Sequence, residues 1–253
     1  MDESWVQKYP DLERTHFWWR IRREIVRDQI RAQFGDAPVS VLDIGCGSGA
    51  TIEYLSEWYR VAGIEPNDDL VEGSAIAERI VRVRVQDADL GGDTFAVILM
   101  LDVLEHLRDP EQVLRLVREW IDDDGILIAT VPAHQWLWTR HDEINDHVRR
   151  YDRRVLRAQL SSGGWNATSI RYLFGALVAP RLVQMMAERL RGEREPGVSV
   201  APPTWLNELA GRTLRFETKW GPFRSLFGTS VLAIAQPAKV DRRPPDQSHR
   251  PNR

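Results

Sequence analysis

The chain has 253 residues, of which 43% are hydrophobic and 28% are charged, and this composition is typical of a globular protein with a sizeable core. Its formal net charge of -3 gives no overall basic field, so nucleic acid is not the expected partner. The single cysteine, Cys46, excludes an internal disulfide and a multi-cysteine zinc site, and it favours a reducing compartment, which predicts a cytoplasmic location.

Helix and strand patterns alternate from the N-terminus to Pro132. The first residues lack the basic start and the apolar core of a signal peptide, and an amphipathic helix pattern follows them. The predicted elements, in chain order, are helix 12–33, strand 39–44, helix 49–59, strand 60–65, helix 67–79 with Asn67 as its N-cap, strand 79–85, strand 94–101, helix 110–120, a turn at 122–125 and strand 126–131. This alternation predicts an α/β fold with a doubly wound parallel sheet and right-handed crossovers.

The pattern changes after Pro132. The segment 133–152 is polar and aromatic and is predicted to be a long loop, and loops of that length are usually functional or disordered. The remaining predicted elements are helix 153–161, strand 166–173, helix 174–190, a mobile linker over 191–203, helix 203–214 and strand 229–236. The predicted units are an N-terminal helical segment (1–36), a main domain (37–236) with a helical insertion at about 174–215, and a disordered tail rich in proline and charge (237–253).

The stretch "VLDIGCGSG" places Gly45, Gly47 and Gly49 directly behind the first predicted strand. In an open parallel sheet, ligands bind beyond the carboxyl ends of the strands, and glycines there let the backbone turn sharply and approach a ligand. The alternatives are a tight turn needed for packing alone and a dinucleotide site, since the glycines also fit that frame through Ala50. Asp43 disfavours a diphosphate, because its carboxylate would repel it. The stretch therefore favours a ligand that carries an ammonium or sulfonium group.

Acidic residues follow the next predicted strands. Glu65 ends the second strand, where a carboxylate can accept hydrogen bonds from both hydroxyls of a ribose, and the alternative is a helix-capping acid. Asp87 follows the third strand, where it can accept a hydrogen bond from an adenine amino group, and Asp89 is a rival for that role. The fourth strand runs into "LDVLEHLRDP", which brings further acids and a histidine over the same crevice.

These motifs in this order ("VLDIGCGSG", the acid that ends the second strand, "QDA" and "LDVLEHLRDP") resemble those of the class I S-adenosylmethionine-dependent methyltransferases. The resemblance is closest to the bacterial branch that includes the ubiquinone-pathway O-methyltransferases. It covers roughly 37–132 and extends less specifically to "HFWWRIRREI" and "HDEINDHVRRY". It implies a Rossmann-like seven-stranded sheet with an antiparallel last strand, an N-terminal helical lid, S-adenosyl-L-methionine as cofactor, and methyl transfer to a small-molecule acceptor at oxygen or nitrogen rather than carbon.

The resemblance also implies which residues bind the cofactor. The glycines would line its methionine end with Asp43 nearby, and Glu65 would hold the ribose. Asp87 and the Ala88 amide would hold the adenine. The expected cofactor-binding set is Asp43, Gly45, Cys46, Gly47, Gly49, Glu65, Pro66, Asp87, Ala88, Asp102 and Val103.

The acceptor is expected beside the loop over 133–152. A general base is useful for a hydroxyl acceptor, and the candidate catalytic residues are His134, His106 and His141, with His147 as a further histidine in the loop. An arginine in "HDEINDHVRRY" would clamp a carboxylate or phosphate, and the alternative is a solvated loop whose charges pair with one another. The candidate substrate-binding residues are Trp18, Trp19, His147, Arg149, Arg150 and Tyr151.

No metal is expected from the sequence. A site built from His141, Asp142 and His147 would suit the residue types, but the carboxylate pattern of the magnesium-dependent catechol methyltransferases is not evident. Two other functions compete with methyl transfer. One is a nicotinamide-dependent oxidoreductase on the same sheet, which Asp43 and the later motifs disfavour. The other is a non-catalytic cofactor-binding protein.

The predicted helix over 174–190 carries a large apolar face with Met185 and Met186. This face predicts core packing, a pocket for a hydrophobic acceptor, or peripheral contact with a membrane surface. Pro180 and Arg181 disfavour a membrane-spanning helix, and no uninterrupted apolar run in the chain reaches the roughly 18 residues that a span requires. Together with Trp205, this face predicts a medium or large acceptor that is partly apolar.

Overall fold

The computed structural model of the chain describes residues 3–72, 74–191, 202–220 and 226–239. Most of the predicted linker (191–203) and all of the predicted tail beyond Lys239 lie outside the described residues.

A mixed sheet forms the centre of the fold. Its strands are β1 (Ser40–Ile44), β2 (Arg60–Ile64), β3 (Ile80–Val81), β4 (Phe95–Leu101), β5 (Ile121–Pro132), β6 (Trp165–Leu173) and β7 (Ser230–Pro237). Their order is β3-β2-β1-β4-β5-β7-β6, with parallel pairing from β3 through β5 and β7 antiparallel to both β5 and β6. The predicted seven-stranded doubly wound sheet with an antiparallel last strand is confirmed. The strand order reverses between β1 and β4, which is where such sheets bind ligands.

Helices cover both faces of this sheet. They are α1 (Glu3–Thr15), α2 (Phe17–Phe34), α3 (Ala50–Leu55), α4 (Asp68–Val71), α5 (Pro110–Val117), α6 (Arg140–Ile144), α7 (Arg153–Ser162), α8 (Val178–Arg191) and α9 (Thr204–Trp220). Successive strand residues point to opposite faces, so Leu42 and Met100 join the core under α5 and α7, whereas Val41 and Leu99 join the core under α2 and α3. Burial on both faces explains why the central strands are continuously apolar. Every helix among the described residues is too short or too polar to traverse a bilayer.

The N-terminal pattern, predicted as one helix over 12–33, forms two helices. Between α1 and α2, His16 has an extended backbone (φ −70°, ψ 135°), and its ring Nδ1 accepts a hydrogen bond from Trp18 N at 3.2 Å. Burial lowers the pKa of His16 to about 4, so the ring is neutral and can accept this bond at neutral pH. The single-helix prediction is wrong because histidine is not among the residues that usually signal an N-cap.

Elements near the sheet edge are shorter than predicted. Only Ile80 and Val81 pair with β2, and the end of the predicted strand forms a 3-10 turn. β3 is an edge strand and Val81 is 40% exposed, so little burial favours a longer strand. The helices predicted over 49–59 and 67–79 end at Leu55 and Val71. Asn67 is the N-cap of α4 as predicted, since its side chain accepts a hydrogen bond from Asp69 N.

The acidic segment 122–125 is not a turn between elements but an irregular part of β5. Ile121 pairs with Phe95 and Ile126 pairs with Val97, so the intervening residues of β5 bulge out of the pairing. The segment 133–152 also has its own structure, with a 3-10 turn, α6, and a bridge between Ala133 and Tyr151.

The predicted helical insertion differs in its bounds. The helix predicted over 174–190 starts with a 3-10 turn, so α8 begins at Val178, and the helix predicted over 203–214 continues as α9 to Trp220. Met185 of α8 is buried, whereas Met186 is 59% exposed, so the two methionines lie on different faces. Trp205 of α9 is also exposed.

Candidate active site

A cavity of about 900 Å³ lies beyond the carboxyl ends of β1, β2 and β4, at the strand-order reversal. Residues from α1, α2, α6 and α8 complete its wall. The structure therefore brings most of the residues predicted from the sequence to one cavity. These are Trp18, Trp19, Asp43, Gly45, Cys46, Gly47, Glu65, Pro66, Asp102, Val103, His106, His141, His147 and Arg150.

The glycine turn behind β1 has a backbone that only glycine adopts easily. Gly45, Gly47 and Gly49 have φ values of 70°, 58° and 83°. A β-carbon on Gly47 would lie 3.1 Å from Tyr9 Cε1 and 3.3 Å from Glu13 Oε2. Gly45 and Gly47 line the cavity, whereas a β-carbon on Gly49 would point at side chains packed beside the sheet. The third glycine is thus required by packing.

Two carboxylates lie at the carboxyl ends of β1 and β2, beside this turn. Glu65 is buried, and its Oε2 and Oε1 accept hydrogen bonds from Gly47 N and Asn67 N, each at 2.9 Å. Asp43 is also buried, and among the described residues its Oδ1 has no hydrogen-bond partner. Burial raises the pKa of Asp43 to about 8, although Arg22 opposes this rise. The site is therefore acidic and is short of a donor on its Asp43 side.

Helix α1 closes over the glycine turn. Glu13 Oε2 accepts hydrogen bonds from Ser48 N at 3.1 Å and from Ser48 Oγ at 2.7 Å, and Tyr9 lies beside Gly47. Sequence reasoning missed Tyr9, because the predicted helix starts at residue 12, after Pro10, and it also missed Glu13, which lies inside that predicted helix. Glu13 is only 2% exposed, and this burial depends on how α1 packs on the glycine turn, so the sequence carries no direct signal for it.

An ion pair between Arg22 and Asp102 joins α2 to the end of β4. Asp102 has a left-handed backbone with φ 61°, which is uncommon for a residue with a side chain. The Arg22 guanidinium also lies over the Trp18 ring, 4.8 Å from the ring centroid. Arg22, which sequence reasoning also missed, therefore fixes both the strand end and the aromatic wall of the cavity.

Asp142 organises the side of the cavity that α6 and α8 form. Its buried carboxylate accepts hydrogen bonds from Arg150 Nε at 2.7 Å and Arg181 at 3.1 Å, and it lies 2.9 Å from His147 Nδ1. Burial alone would raise the pKa of Asp142, but the hydrogen bonds with His147 and Arg150 hold it well below its usual value. The charges of "HDEINDHVRRY" are thus largely paired within the fold. Burial also lowers the pKa of His141, to about 4.

The other predicted site residues do not line this cavity. Arg149 donates hydrogen bonds to the carbonyl oxygens of Leu107 and Arg108, and Asp87 pairs with Arg84 at 2.8 Å. The residues set apart from the cavity are Gly49, Asp87, Ala88, His134, Arg149 and Tyr151.

Two of these outlying residues are fixed by packing. Tyr151 is fully buried, and its hydroxyl donates a hydrogen bond to the Leu104 carbonyl oxygen at 3.1 Å. His134 stacks on Tyr172, with 4.7 Å between the ring centroids. Both residues therefore support the loop behind β5 rather than face the cavity.

The sheet order and the glycine turn that lines the cavity at the strand-order reversal define the class I methyltransferase fold. A family model described as "Methyltransferase domain" matches residues 18–170, more than half of the chain. The chain therefore belongs to the S-adenosylmethionine-dependent methyltransferase family.

Curated relatives agree with this membership, and a solved structure shares the fold. The chain is 29% identical over 126 residues to (S)-coclaurine N-methyltransferase of Thalictrum flavum subsp. glaucum, and the match covers 46% of this chain and 35% of that protein. It is 32% identical over 145 residues to a ubiquinone biosynthesis O-methyltransferase of Mesorhizobium japonicum, covering 51% and 58%. The N-methyltransferase NodS of Bradyrhizobium japonicum WM9, solved with S-adenosyl-L-homocysteine, superimposes with a TM-score of 0.53 at 14% identity and covers 90% of this chain and 91% of NodS. The chain thus spans about a third to three-fifths of the curated relatives, and NodS shares the fold.

Proposed function

We propose that the chain is an S-adenosylmethionine-dependent methyltransferase that acts on a small, partly apolar acceptor at oxygen or nitrogen. One observation carries the proposal: a single cavity of about 900 Å³ is lined on one side by the glycine turn with its two carboxylates and on the other by aromatic and histidine side chains. Cofactor and acceptor would therefore meet without leaving the cavity. The single free cysteine supports a cytoplasmic location.

The cofactor side fits a cationic nucleoside. Asp43 has a buried carboxylate oxygen with no partner among the described residues, which suits the ammonium group of the methionine moiety. Each oxygen of Glu65 accepts one backbone hydrogen bond and keeps a lone pair for a ribose hydroxyl. Arg84, Val85 and Gln86 line the region proposed for the adenine, next to Asp87 and Ala88. When bound, the cofactor supplies a sulfonium-activated methyl group, so the chain has to position the acceptor and exclude water.

The acceptor side fits a partly apolar molecule. Trp18, Leu107, Ile144 and Leu177 contribute apolar surface to the cavity. We propose that His106 and His141, which line the cavity, are the residues that face an acceptor hydroxyl, and that His134 supports the loop behind β5. Arg150 would act by fixing Asp142 and its neighbours rather than by clamping the acceptor directly.

Two measurements test the proposal. Isothermal titration with S-adenosyl-L-homocysteine and with NAD separates a methyltransferase from an oxidoreductase, and we expect saturable binding of the first alone. Incubation with isotopically labelled S-adenosylmethionine and panels of phenols, catechols and amines then tests transfer. Binding of NAD instead would contradict the proposal. Binding of S-adenosyl-L-homocysteine without transfer of the labelled methyl group to any acceptor, in the panels or in cell extract, would favour the non-catalytic alternative.

A further inference from the structure

Three potential metal ligands converge in the wall of the cavity. Glu105 and His106 follow β4, and His147 follows α6. One ligand atom from each of the three lies within 4.8 Å of the other two. A hydrogen bond from Val148 N to the Glu105 carbonyl oxygen at 2.9 Å holds the two segments together. All three side chains line the cavity that also contains the proposed cofactor site.

Glu105 is the member of this cluster that the fold does not explain. Its side chain is fully buried, yet neither carboxylate oxygen is hydrogen-bonded to another residue in the described part of the chain. Burial of a carboxylate is costly, and buried charges in proteins are normally paired or coordinate a metal. The proposed cofactor contacts do not involve Glu105. Its two free oxygens therefore indicate a partner that is a cation.

The two histidines are held as metal-binding imidazoles usually are. His147 Nδ1 lies 2.9 Å from Asp142 Oδ1, which leaves its Nε2 available. Asp142 is itself fixed by Arg150 Nε at 2.7 Å. The His106 ring makes a hydrogen bond with the backbone of Asp146. A carboxylate or backbone carbonyl behind each imidazole fixes the ring orientation and the tautomer that a metal requires.

We propose that Glu105, His106 and His147 bind one divalent transition-metal ion. Two imidazoles and one carboxylate form a common ligand set for Zn²⁺ and related ions that leaves a coordination position open. The inference rests on the proposed function for its consequence: an acceptor hydroxyl takes the open position, the cation lowers the pKa of that hydroxyl, and its proton is lost to solvent. The acceptor class would then be a phenol, a catechol or a similar hydroxyl compound rather than an amine.

Metal binding can be measured without any acceptor. The full chain, dialysed against a chelator, is titrated calorimetrically with ZnCl₂, MnCl₂ and MgCl₂, and Co²⁺ is added separately to record its visible absorption bands. We expect one equivalent of a transition-metal ion to bind, with weaker binding of Mg²⁺. Ligand-field bands of bound Co²⁺ would report imidazole and carboxylate coordination. Absence of stoichiometric binding of any of these ions would overturn the proposal.

Variants assign the site to these residues. Glu105→Gln, His106→Gln and His147→Gln should each abolish stoichiometric binding, and Asp142→Asn should lower the affinity about 10- to 100-fold, as loss of a supporting carboxylate does. His106 is the most exposed of the three ligands, so we expect the His106→Gln substitution to disturb the fold least. The control is His134→Gln, which lies outside the cavity and should bind the metal normally. Unchanged affinity in folded His106→Gln and Glu105→Gln would overturn the assignment.

Titration with S-adenosyl-L-homocysteine separates this proposal from the proposed function. If the variants of the three metal ligands keep their affinity for S-adenosyl-L-homocysteine but no longer bind the metal, both proposals stand. If the unaltered protein binds the metal at this site but does not bind S-adenosyl-L-homocysteine, the proposed function fails and the metal site stands. If it binds the product and no metal, the metal site fails alone.

Discussion

The backbone of Gly47 turns at φ 58°, and a β-carbon there would approach Tyr9 and Glu13 of α1. A valine at this position would strain the backbone and fill space at the cavity wall. We expect Gly47→Val to lose measurable calorimetric binding of S-adenosyl-L-homocysteine while the protein stays folded. Gly91→Val is the matched control, because Gly91 has φ 62° and a β-carbon on it would meet no described atom within 4 Å. Equal binding by both variants would remove the glycine turn from the cofactor site.

Glu65 is the residue proposed to hold the ribose. We expect Glu65→Ala to weaken binding of S-adenosyl-L-homocysteine by about 1.5–3 kcal/mol, the range for hydrogen bonds to a charged group. Part of that loss would come from the Gly47 and Asn67 amides that Glu65 also binds. A double-mutant cycle with the 2′,3′-dideoxy form of the ligand isolates the ribose contribution. If the variant and the analogue lower the affinity additively, Glu65 does not contact the hydroxyls.

Asp43 should couple cofactor binding to proton release. Burial raises its pKa to about 8 from the ordinary 3.8, so the ligand-free carboxyl is mostly protonated at pH 7. A bound ammonium group favours the carboxylate, so binding should release a proton, and the affinity should rise with pH until about pH 8. Calorimetry in buffers of different ionisation enthalpy measures the proton. The release should vanish in Asp43→Asn, and its persistence there would assign it to another group.

The same raised pKa makes a prediction about stability. The folded protein binds more protons at Asp43 than the unfolded chain does between pH 3.8 and about 8, so this group lowers the free energy of unfolding as the pH rises through that window. Chemical unfolding of the ligand-free protein should therefore give a steeper loss of stability towards pH 8 than the same series on Asp43→Asn. Parallel pH profiles for the two proteins would contradict the raised pKa.

At the scale of elements, the sequence predicts what one element alone determines. The apolar run of β4 and the alternation of strands and helices follow from burial of the sheet on both faces, and both are confirmed. Glu65 could be predicted to lie at the ligand-binding edge because a strand end fixes its position. Arg22 and Glu13 could not, because their approach to the cavity depends on how α1 and α2 pack on the sheet. Asp87 shows a different limit, since the strand pattern runs through 85 and does not predict the 3-10 turn in which Asp87 pairs with Arg84.

The break between α1 and α2 is held from outside by α9. Asn207 accepts a hydrogen bond from Phe17 N at 2.8 Å and donates one to the Thr15 carbonyl oxygen at 2.9 Å. We expect Asn207→Ala to loosen α1, so that the amides of α1 exchange hydrogen faster. Bound S-adenosyl-L-homocysteine should also dissociate faster from this variant. Thr213→Ala is the control on the same helix, since Thr213 bonds only to Leu209 of α9 in the described contacts. Identical exchange in the two variants would show that α9 does not secure α1.

At the scale of the whole molecule, the cavity joins segments that are distant in the chain. Its wall combines α1 and α2, the glycine turn, α6 and α8, whereas α7 and β6 contribute nothing to it among the described residues. A ligand that bridges these segments should therefore stabilise the fold as a unit. At a free concentration 100 times its dissociation constant, S-adenosyl-L-homocysteine should raise the free energy of unfolding by about 2.7 kcal/mol.

Hydrogen exchange should show where that stabilisation acts. We expect local opening to govern exchange at the cavity wall, so the amides of α1 and α6, which line the cavity, should slow most when ligand binds. Amides of α7 and β6 that exchange by local opening should change little, because these elements pack against each other and the far end of the sheet. The Gly47→Val variant is the control, because it is expected not to bind S-adenosyl-L-homocysteine. Slowing that is equal in α7 and α1 would mean that the ligand does not bridge the lid and the sheet, and the role of α1 and α2 as a cover over the cofactor would have to be abandoned.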